Sequence, residues 1–355
     1  MHSTKLGLSS MQKTKKLDEI DAKILQVLLG DSRTSFTTIA KDCKISVVAI
    51  RSRYQRLKKA GIIKGEIMLV NPYSLGYKCT VDLGIVTSVE NEEEVIKFLR
   101  SKPYICGANG NFGRYNIQAF IVLHDIEKLL GILMEIEANP KVELIDSLIW
   151  AESVNMDHTE NLVIKPLKQA KIFKPHEINR HEEKLDETDR QIDAIFSRNA
   201  RTPFRAVAKQ LGISPKNVIQ RYNRLKGKVL TKATISVSLD KIGFKSMAHL
   251  FIKISNRSKM QEIMAQIFKI PNMIIAIKLV GPYDVRALVV IHDFEDLFEV
   301  TETFRRIKGI EKADTYLYKT FPHWPVSLFA PLLCSEDKPT QLKTFFTAEL
   351  SDNAN

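Results

Sequence analysis

The clearest hydrophobic pattern in the chain lies in residues 207–232. Two short apolar stripes recur there at helical spacing, and their positions are Val207, Ala208 and Leu211, then Val218, Tyr222 and Leu225. Between the stripes, Gly212 supplies the left-handed residue at which a first helix ends, and Ser214 with Pro215 is typical of the start of a second helix. The pattern therefore predicts two helices joined by a tight turn and followed by a short extended segment.

The other side of the second predicted helix is basic and amide-bearing, with no acidic residue. Besides the capping Ser214, it carries Lys216, Asn217, Gln220, Arg221 and Arg224. A helix of this kind fits a DNA major groove, because its cations neutralise phosphates and its amides pair with base edges. The same pattern is also typical of a solvated helix in a small bundle, and the helix alone does not separate the two interpretations.

The pattern occurs a second time, 168 positions earlier in the chain, without a gap. The matching segments are Leu17-Asp18-Glu19 with Leu185-Asp186-Glu187, Arg33-Thr34 with Arg201-Thr202, Ile45-Ser46 with Ile213-Ser214, and Arg53-Tyr54 with Arg221-Tyr222. Agreement over such a span indicates a tandem duplication. In the first copy, Asp18 is expected to cap the opening helix, and the candidate DNA contacts are Ser46, Arg51, Arg53 and Arg56.

Beyond each helical region the hydrophobic period changes to alternating strands and amphipathic helices. In the first unit, strands are predicted over 79–87, 104–108, 115–123 and 142–150, and helices over 92–100 and 125–137, the second capped by Asp125. The order β-α-β-β-α-β is that of a ferredoxin-like domain, whose four-stranded antiparallel sheet carries both helices on one face. The other face needs cover, and a second such sheet is its natural partner.

The predicted fold class is α+β, with two repeats of a winged helix-turn-helix followed by a ferredoxin-like βαββαβ domain. We expect a flexible arm at 1–16, a first winged domain at 17–78 and a first sheet domain at 79–158. A linker at 159–184 leads to a second winged domain at 185–244 and a second sheet domain at 245–320. The extension at 321–355 is predicted to be partly disordered, with apolar side chains at 321–333 that need cover.

Composition narrows the classes of function. A net charge of +12 favours a polyanionic partner such as double-stranded DNA. The four cysteines stand apart without a CxxC pair, which is typical of thiols in a reducing cytosol, and His176 and His181 lack companions at metal spacing. No signal peptide or membrane-spanning run is found, so a cytoplasmic location is expected. No cofactor, metal site or catalytic residue is predicted, because the chain has no glycine-rich phosphate loop and no nucleophile elbow.

These residues resemble the Lrp/AsnC (feast/famine) transcriptional regulators. The Leu-Asp-x-x-Asp opening, the Ile-Ser turn and the Arg-Tyr-x-Arg-Leu-Lys helix look like that family's winged helix-turn-helix. The Gly281-Pro282-Tyr283-Asp284 hairpin is similar to that of its effector-binding RAM domain, and the resemblance covers 17–158 and 185–320. It implies sequence-specific DNA binding and an amino-acid-like effector near the two hairpins, at Gly113, Tyr115, Asn116, Gly281, Tyr283 and Asp284.

The first unit departs from the family pattern at three places. Lys44 replaces the turn glycine, so a side chain stands where left-handed geometry is expected. The apolar run 47–49 replaces the polar start of the recognition helix, whereas Asn217 of the second unit can pair bidentately with adenine. We therefore expect the second unit to dominate base specificity and the first to add mainly phosphate contacts. Asn116 also stands in place of Asp284, which weakens ammonium recognition at the first hairpin.

Members of that family carry one unit per chain and dimerise through their sheets, whereas this chain carries two units. A linker of about 26 residues has a reach of roughly 25–30 Å, enough for the two sheets to meet. The resemblance thus implies a RAM–RAM pseudo-dimer within one chain that reads two unlike half-sites. Higher homo-oligomers are expected to use the remaining surfaces, including 321–333, and the rival arrangement pairs first unit with first unit between chains.

Two other functions compete with a regulator. Siroheme decarboxylases are built from similar tandem units and carry a Pro-x-Trp-Pro stretch near the C-terminus, which Pro322-His323-Trp324-Pro325 resembles. The spacing to Tyr318 is shorter here, however, and the predicted wing at 233–239 contains neither arginine nor histidine. The third alternative is an architectural DNA-binding protein without a defined operator.

Overall fold

The first repeat begins with three helices and a strand, as its pattern predicts. In this computed structural model, which describes residues 17–152, 161–167, 180–319 and 323–333, they are α1 (Glu19–Gly30), α2 (Phe36–Cys43), α3 (Val47–Lys59) and β1 (Ile63–Val70). The sheet domain follows with β2 (Cys79–Val86), α4 (Glu92–Ser101), β3 (Ile105–Gly110), β4 (Ile117–Leu123), α5 (Lys128–Glu137) and β5 (Leu144–Glu152). The arm expected at 1–16 and the tail beyond 333 lie outside the described residues.

The second repeat has the same order of elements, which confirms the α+β class and the duplication. Its winged domain contains α6 (Glu187–Arg198), α7 (Phe204–Leu211), α8 (Pro215–Leu225) and β6 (Leu230–Val237). Its sheet domain contains β7 (Ser246–Ile254), α9 (Met260–Ile267), β8 (Met273–Val280), β9 (Val285–Ile291), α10 (Phe294–Arg306) and β10 (Ile310–Lys319).

Side-chain caps fix where these helices begin. The carboxylate of Asp18 accepts the amide of Asp21 at 2.8 Å, and Asp186 accepts that of Asp189 at the same distance. Each pair forms a capping box at the opening of its repeat, so the predicted cap at Asp18 is confirmed. Lys44 adopts the left-handed conformation that its position requires, with φ of 54°.

One predicted cap is wrong. Asp125 does not open the second helix of the first sheet domain, because α5 begins only at Lys128 and has no side-chain cap. Its carboxylate instead accepts the amide of Glu127 at 3.0 Å, a local turn that delays entry into the helix. In the second repeat, Asp293 caps α10 by accepting the amide of Asp296 at 3.0 Å.

The two four-stranded sheets join into one. The strand order is β10-β7-β9-β8-β5-β2-β4-β3, and the junction between repeats is an antiparallel pairing of β5 with β8, Ile149 facing Val280. The far ends meet as well, because Phe112, just beyond β3, exchanges two backbone hydrogen bonds of 3.3 and 3.2 Å with Leu317 of β10. The sheet therefore closes on itself, with the helices outside and the helix-free face inside.

The strands predicted as separate small wings pair with each other. β1 and β6 form an antiparallel ribbon in which Glu66 faces Ile235 and Ile67 faces Thr234. Thr234 also donates its hydroxyl to the carbonyl of Leu29 at 2.9 Å, which ties the second wing to a helix of the first repeat. The two winged domains consequently share one hydrophobic core.

The extension and part of the linker pack against the body of the chain. Trp324 exchanges backbone hydrogen bonds of 2.8 and 2.9 Å with Val237, and Phe329 and Leu332 are buried. The expectation that this extension offers its apolar side chains to another chain is therefore wrong for its described part. In the linker, Leu162 and Ile164 are buried, so residues 161–167 are not a free tether. Among the described residues, no helix is long and apolar enough to cross a membrane.

Candidate nucleic-acid interface and hairpin sites

Both recognition helices bury the apolar stripe that the sequence predicts. In α8 the stripe is Val218, Tyr222 and Leu225, and in α3 it is Ile50, Tyr54 and Leu57. The exposed side of α8 carries Lys216, Ile219, Gln220 and Asn223, and that of α3 carries Val48, Arg51, Ser52 and Gln55. Each face spans eight positions of its helix, and a major groove admits an α-helix.

Four predicted DNA contacts are held in ion pairs instead of projecting freely. Arg221 lies 2.6 Å from Asp186 and 2.7 Å from Asp189, and Arg224 also contacts Asp189. Hydrogen bonding to Asp186 raises the pKa of Arg221, and the same bond lowers the pKa of Asp186. In the first repeat, Arg53 and Arg56 bind the capping aspartates of α1 in the same way, with contacts of 2.5 Å. These arginines fix each recognition helix to the first helix of its own domain.

Asn217 and the two capping serines are also engaged within the protein. The side-chain oxygen of Asn217 accepts a 2.8 Å hydrogen bond from Nε of Arg221. Ser46 and Ser214 cap their helices by accepting the amides of Ala49 and Asn217, at 3.1 and 3.2 Å. Of the predicted set, Lys216, Gln220 and Arg51 lie on the exposed helix faces, and Arg56 and Arg224 are also exposed although they form ion pairs.

Sequence reasoning missed several residues of these faces. Ser52, Gln55, Ile219 and Asn223 are exposed beside the predicted contacts. Their spacing could have identified them, because 216, 220 and 223 lie on one side of a helix and the matching positions of the first repeat are 48, 52 and 55. Val48 is 78% exposed, so the first face has an apolar side chain at the position where the second face has Lys216. The second face has its own exposed apolar side chain, Ile219, at the position where the first face has Arg51.

A reciprocal pair of arginines, not recognised from the sequence, sets the two winged domains against each other. The guanidinium of Arg33 lies 4.4 Å from the ring centroid of Phe204 and donates to the carbonyl of Ala200 at 2.5 Å. Arg201 lies 4.6 Å from the ring of Phe36 and donates to the carbonyl of Thr34 at 3.2 Å. Burial lowers the pKa of both arginines. Since each arginine enters the other domain, the recognition helices are held in a fixed relation.

The glycines of the two hairpins permit close contact between repeats. A Cβ on Gly281 would lie 2.6 Å from the backbone oxygen of Ser147, and one on Gly113 would lie 2.1 Å from the ring of Tyr316. Both glycines also have φ values, 146° and 157°, that other residues rarely adopt. The hairpin glycines are therefore needed for the junction, whatever else the hairpins do.

The polar groups of the hairpins have partners inside the chain. Tyr115 donates to Asp146 at 2.6 Å, and Asn116 exchanges hydrogen bonds of 3.0 and 2.9 Å with the backbone of Thr87. Tyr283 donates to Asp314. These contacts fit the interpretation of a structural turn, and binding of an amino-acid-like effector stays a prediction.

Asp284, the residue expected to bind an ammonium group, is fully buried. Although burial opposes its ionisation, hydrogen bonds from the amide of Ile254 at 2.9 Å and from Arg257 at 2.7 Å lower the pKa of its carboxyl. The side chain of Arg257 is 67% exposed and covers the carboxylate from the solvent side. A ligand ammonium would have to displace this guanidinium.

Comparison with known proteins places these features in a family. A model of the AsnC-type helix-turn-helix domain matches residues 17–58 and 185–226. The regulatory protein AsnC of Haemophilus influenzae is 31% identical over 153 residues, which cover 43% of this chain and 97% of that protein. The transcriptional regulator LrpA of Pyrococcus horikoshii is 37% identical over 117 residues, covering 33% of this chain and 83% of that protein.

A solved structure shares the tandem arrangement. The siroheme decarboxylase NirDL superposes over 93% of this chain and 99% of its own with a TM-score of 0.61 and 16% sequence identity. At that identity the likeness concerns the fold, including the joining of two repeats, and carries no statement about chemistry.

Proposed function

The chain belongs to the Lrp/AsnC family of transcriptional regulators, as a tandem duplication, and we propose that it binds double-stranded DNA sequence-specifically through both recognition helices. The observation that carries the proposal is the pair of exposed helix faces, which the reciprocal arginines Arg33 and Arg201 hold in a fixed relation. Two fixed helices read two half-sites in one binding event, so a single chain supplies what a homodimer supplies elsewhere.

The two faces support an unequal division of labour. The second face offers Lys216 for a phosphate and Gln220 and Asn223 for base edges. The first face has exposed Val48 at the position of Lys216, with Arg51 beside it. Val48 contacts thymine methyls but forms no hydrogen bonds, and the first face carries one amide side chain, Gln55, against the two of the second face. The second helix should therefore contribute most of the base discrimination.

The test is selection of an operator from random DNA, followed by affinity measurements at several salt concentrations. Replacing Lys216 by alanine should weaken binding to all sequences and reduce the salt slope by about one unit, since one phosphate contact is lost. Replacing Gln220 or Asn223 by alanine should relax preference at one base pair, by about 1–3 kcal/mol. Lys308→Ala, an exposed lysine of the sheet domain, is the matched control. Unchanged binding in all three helix variants would contradict the proposal.

The ion-paired arginines need a separate measurement. Arg221→Ala removes a partner of Asp186 and Asp189, and Asp189 is buried. The substitution should therefore also destabilise the fold, because a buried carboxylate loses a partner, and a loss of DNA affinity in this variant has two possible causes. Its affinity should be compared with its free energy of unfolding before Arg221 is assigned to the DNA.

We propose that the pseudo-dimer persists in solution and that further assembly joins copies of the chain through apolar stripes on the second helix of each sheet domain. Leu130 and Met134 on α5 are 67% and 61% exposed, and Phe294 and Phe298 on α10 are 72% and 69% exposed. Leu130 and Phe298 are equivalent positions of the duplication, so one chain presents the stripe twice. Sedimentation should show higher oligomers that Leu130→Glu with Phe298→Glu reduces to folded monomers. A dimer that survives this double substitution would contradict the stripes as the interface.

An amino-acid-like effector at the hairpins is a further part of the proposal. Because the side chain of Arg257 is exposed, it could move away from Asp284, and the carboxylate of Asp284 would then be accessible to the ammonium group of the effector. Calorimetry with a panel of amino acids, on the natural chain and on Asp284→Asn, tests this. No binding at millimolar concentration would leave the hairpins as structural turns.

Because the chain shares its fold with NirDL, a siroheme decarboxylase activity is the alternative function. The wing strand β6 and its flanks offer no arginine or histidine at 230–239. Incubation of the purified protein with siroheme under anaerobic conditions distinguishes the functions. Decarboxylation without sequence preference for DNA would favour the enzyme, and DNA binding without an operator would favour an architectural protein.

A further inference from the structure

A cavity of about 130 Å³ lies between the inner face of the closed sheet, the paired wings and the C-terminal extension. Its walls are mostly apolar, from Phe120, Trp150, Ile275, Ile277, Leu288 and Phe329. Side chains of both repeats line it, so the cavity exists only when the two sheets join. Its volume is close to that of engineered cavities, about 150 Å³, that admit benzene.

A polar cluster on the wall crosses between the repeats. Arg286 of β9 donates to Asp82 of β2 at 2.5 Å, and the indole N–H of Trp150 donates to the same carboxylate oxygen at 2.8 Å. Arg286 also donates to Nδ1 of His249 at 3.2 Å. Asp82 and His249 are 1% and 2% exposed. The carboxylate is therefore already neutralised by the guanidinium.

Three buried nitrogen atoms of residues that line the cavity have no hydrogen-bond partner within the described part of the chain. They are Nε2 of His249, Nε2 of Gln118 and Nε of Arg286. Because Nδ1 of His249 accepts from Arg286, the proton of the neutral ring is on Nε2, and burial lowers the pKa of this histidine well below its usual value. All three groups are thus N–H donors. A buried N–H group without an acceptor costs free energy, so a ligand of this site should supply oxygen acceptors and not further hydrogen-bond donors.

We propose that this cavity binds a small monocarboxylate with an apolar body, of about six to nine non-hydrogen atoms. Its two oxygens would accept from the unpaired N–H groups, and its body would contact the aromatic and aliphatic walls. A free amino acid fits less well, because its ammonium would meet only Asp82, which already holds Arg286 and Trp150. The site is therefore distinct from the hairpin at Asp284, and it does not depend on DNA binding.

Calorimetry on the full chain tests the site with small probes that differ in charge and in size. Benzoate and the smaller acids isovalerate and butyrate present a carboxylate, benzamide a neutral acceptor, and benzylamine a cation. We expect one carboxylate per chain to bind at least tenfold more tightly than benzamide and benzylamine not to bind. Gln118→Leu should weaken carboxylate binding at least fivefold, because the substitution keeps the volume and removes a donor. Leu288→Phe, which introduces the residue that the first repeat has at position 120, should block binding by filling the cavity.

Asp284→Asn is the control that separates this cavity from the hairpin, and it should bind the carboxylate as the natural chain does. His249→Phe gives a second test of the donors if Gln118→Leu proves unstable, with folding checked by circular dichroism. The proposal is overturned if none of the three carboxylates binds to the folded chain, or if binding is unchanged in Gln118→Leu and Leu288→Phe. In that case ordered water would satisfy the three donors. Loss of the site with retained DNA binding would leave the proposed regulator untouched.

Discussion

Asp193, on the first helix of the second repeat, should make the stability of the chain depend on pH. It is fully buried on α6, and within the described residues neither carboxylate oxygen has a hydrogen-bond partner. Burial, with a smaller contribution from the charge of Asp189, raises the pKa of Asp193 from 3.8 to about 8. The equivalent position of the first repeat is Leu25, also fully buried, so leucine fits this site of the fold.

The direction of the effect follows from proton binding. Between pH 4 and 8 the folded chain holds a proton on Asp193 that the unfolded chain has released, so stability falls as pH rises through that range. A shift of about four pKa units, at about 1.4 kcal/mol each, corresponds to about 6 kcal/mol over the whole titration. Between pH 5 and pH 9 the part that is lost is about 4 kcal/mol.

Urea denaturation of the natural chain, Asp193→Leu and Asp193→Asn, followed by circular dichroism at each pH unit from 5 to 9, measures this dependence. The stability gained by Asp193→Leu over the natural chain should grow by about 1.4 kcal/mol per unit between pH 5 and 7, and level off above pH 8. Asp193→Asn should show the same slope, because it also removes the titration, with a smaller gain from apolar burial. A gain that is independent of pH would show that Asp193 does not titrate in this range and would refute the reasoning.

Two further substitutions test the junctions between the repeats. Gly281→Ala should destabilise the chain by about 1–3 kcal/mol, because its Cβ would meet the backbone oxygen of Ser147. Gly65→Ala is the control and should change the stability little, because the space around Gly65 is open. Equal denaturation midpoints for the two variants would contradict this. Arg201→Met should cost about 3 kcal/mol, because a desolvated cation–π contact is lost and buried carbonyls lose their donor, and exposed Arg198→Met is its control. Thermal unfolding of Arg201→Met indistinguishable from that of the control would exclude a structural role for the exchanged arginines.

The local pattern of the sequence was sufficient for the elements and for the duplication. The stripe at Val218, Tyr222 and Leu225 predicts a helix, and a buried helix is found. What the pattern could not provide is the partner of a charged side chain. Arg221 has the spacing of a DNA contact, yet the two acids that it contacts lie 32 and 35 positions away in the chain, in α6 and at its N-cap. Helical periodicity places a residue on a face and says nothing about which distant element meets that face.

The same limit explains the hairpins and the cap at Asp125. The family motif predicts a ligand site at Gly281 and Asp284, but it does not predict the contacts of these residues with Ser147, Ile254 and Arg257. The close approach of Gly281 to Ser147 depends on the joining of two sheets from different repeats, which no local pattern encodes. Asp125 has the residue type of a cap, but a two-residue turn competes for its carboxylate.

The interior of the closed sheet shows why the two repeats pair with each other. By strand register, Asp82 is equivalent to His249 and Gln118 to Arg286, since Asp82 faces Phe120 and Leu148 as His249 faces Leu288 and Tyr316. Within one chain, the geometry sets Asp82 opposite Arg286, a compensated pair.

Pairing between two first repeats would set each Asp82 opposite a glutamine, and pairing between two second repeats would set each Arg286 opposite a neutral histidine. Both alternatives bury two uncompensated charges, which costs several kcal/mol for each ion. The charged residues that differ between the two repeats therefore favour pairing of the first repeat with the second. Burial of the apolar sheet faces alone would not favour this pairing over the two alternatives.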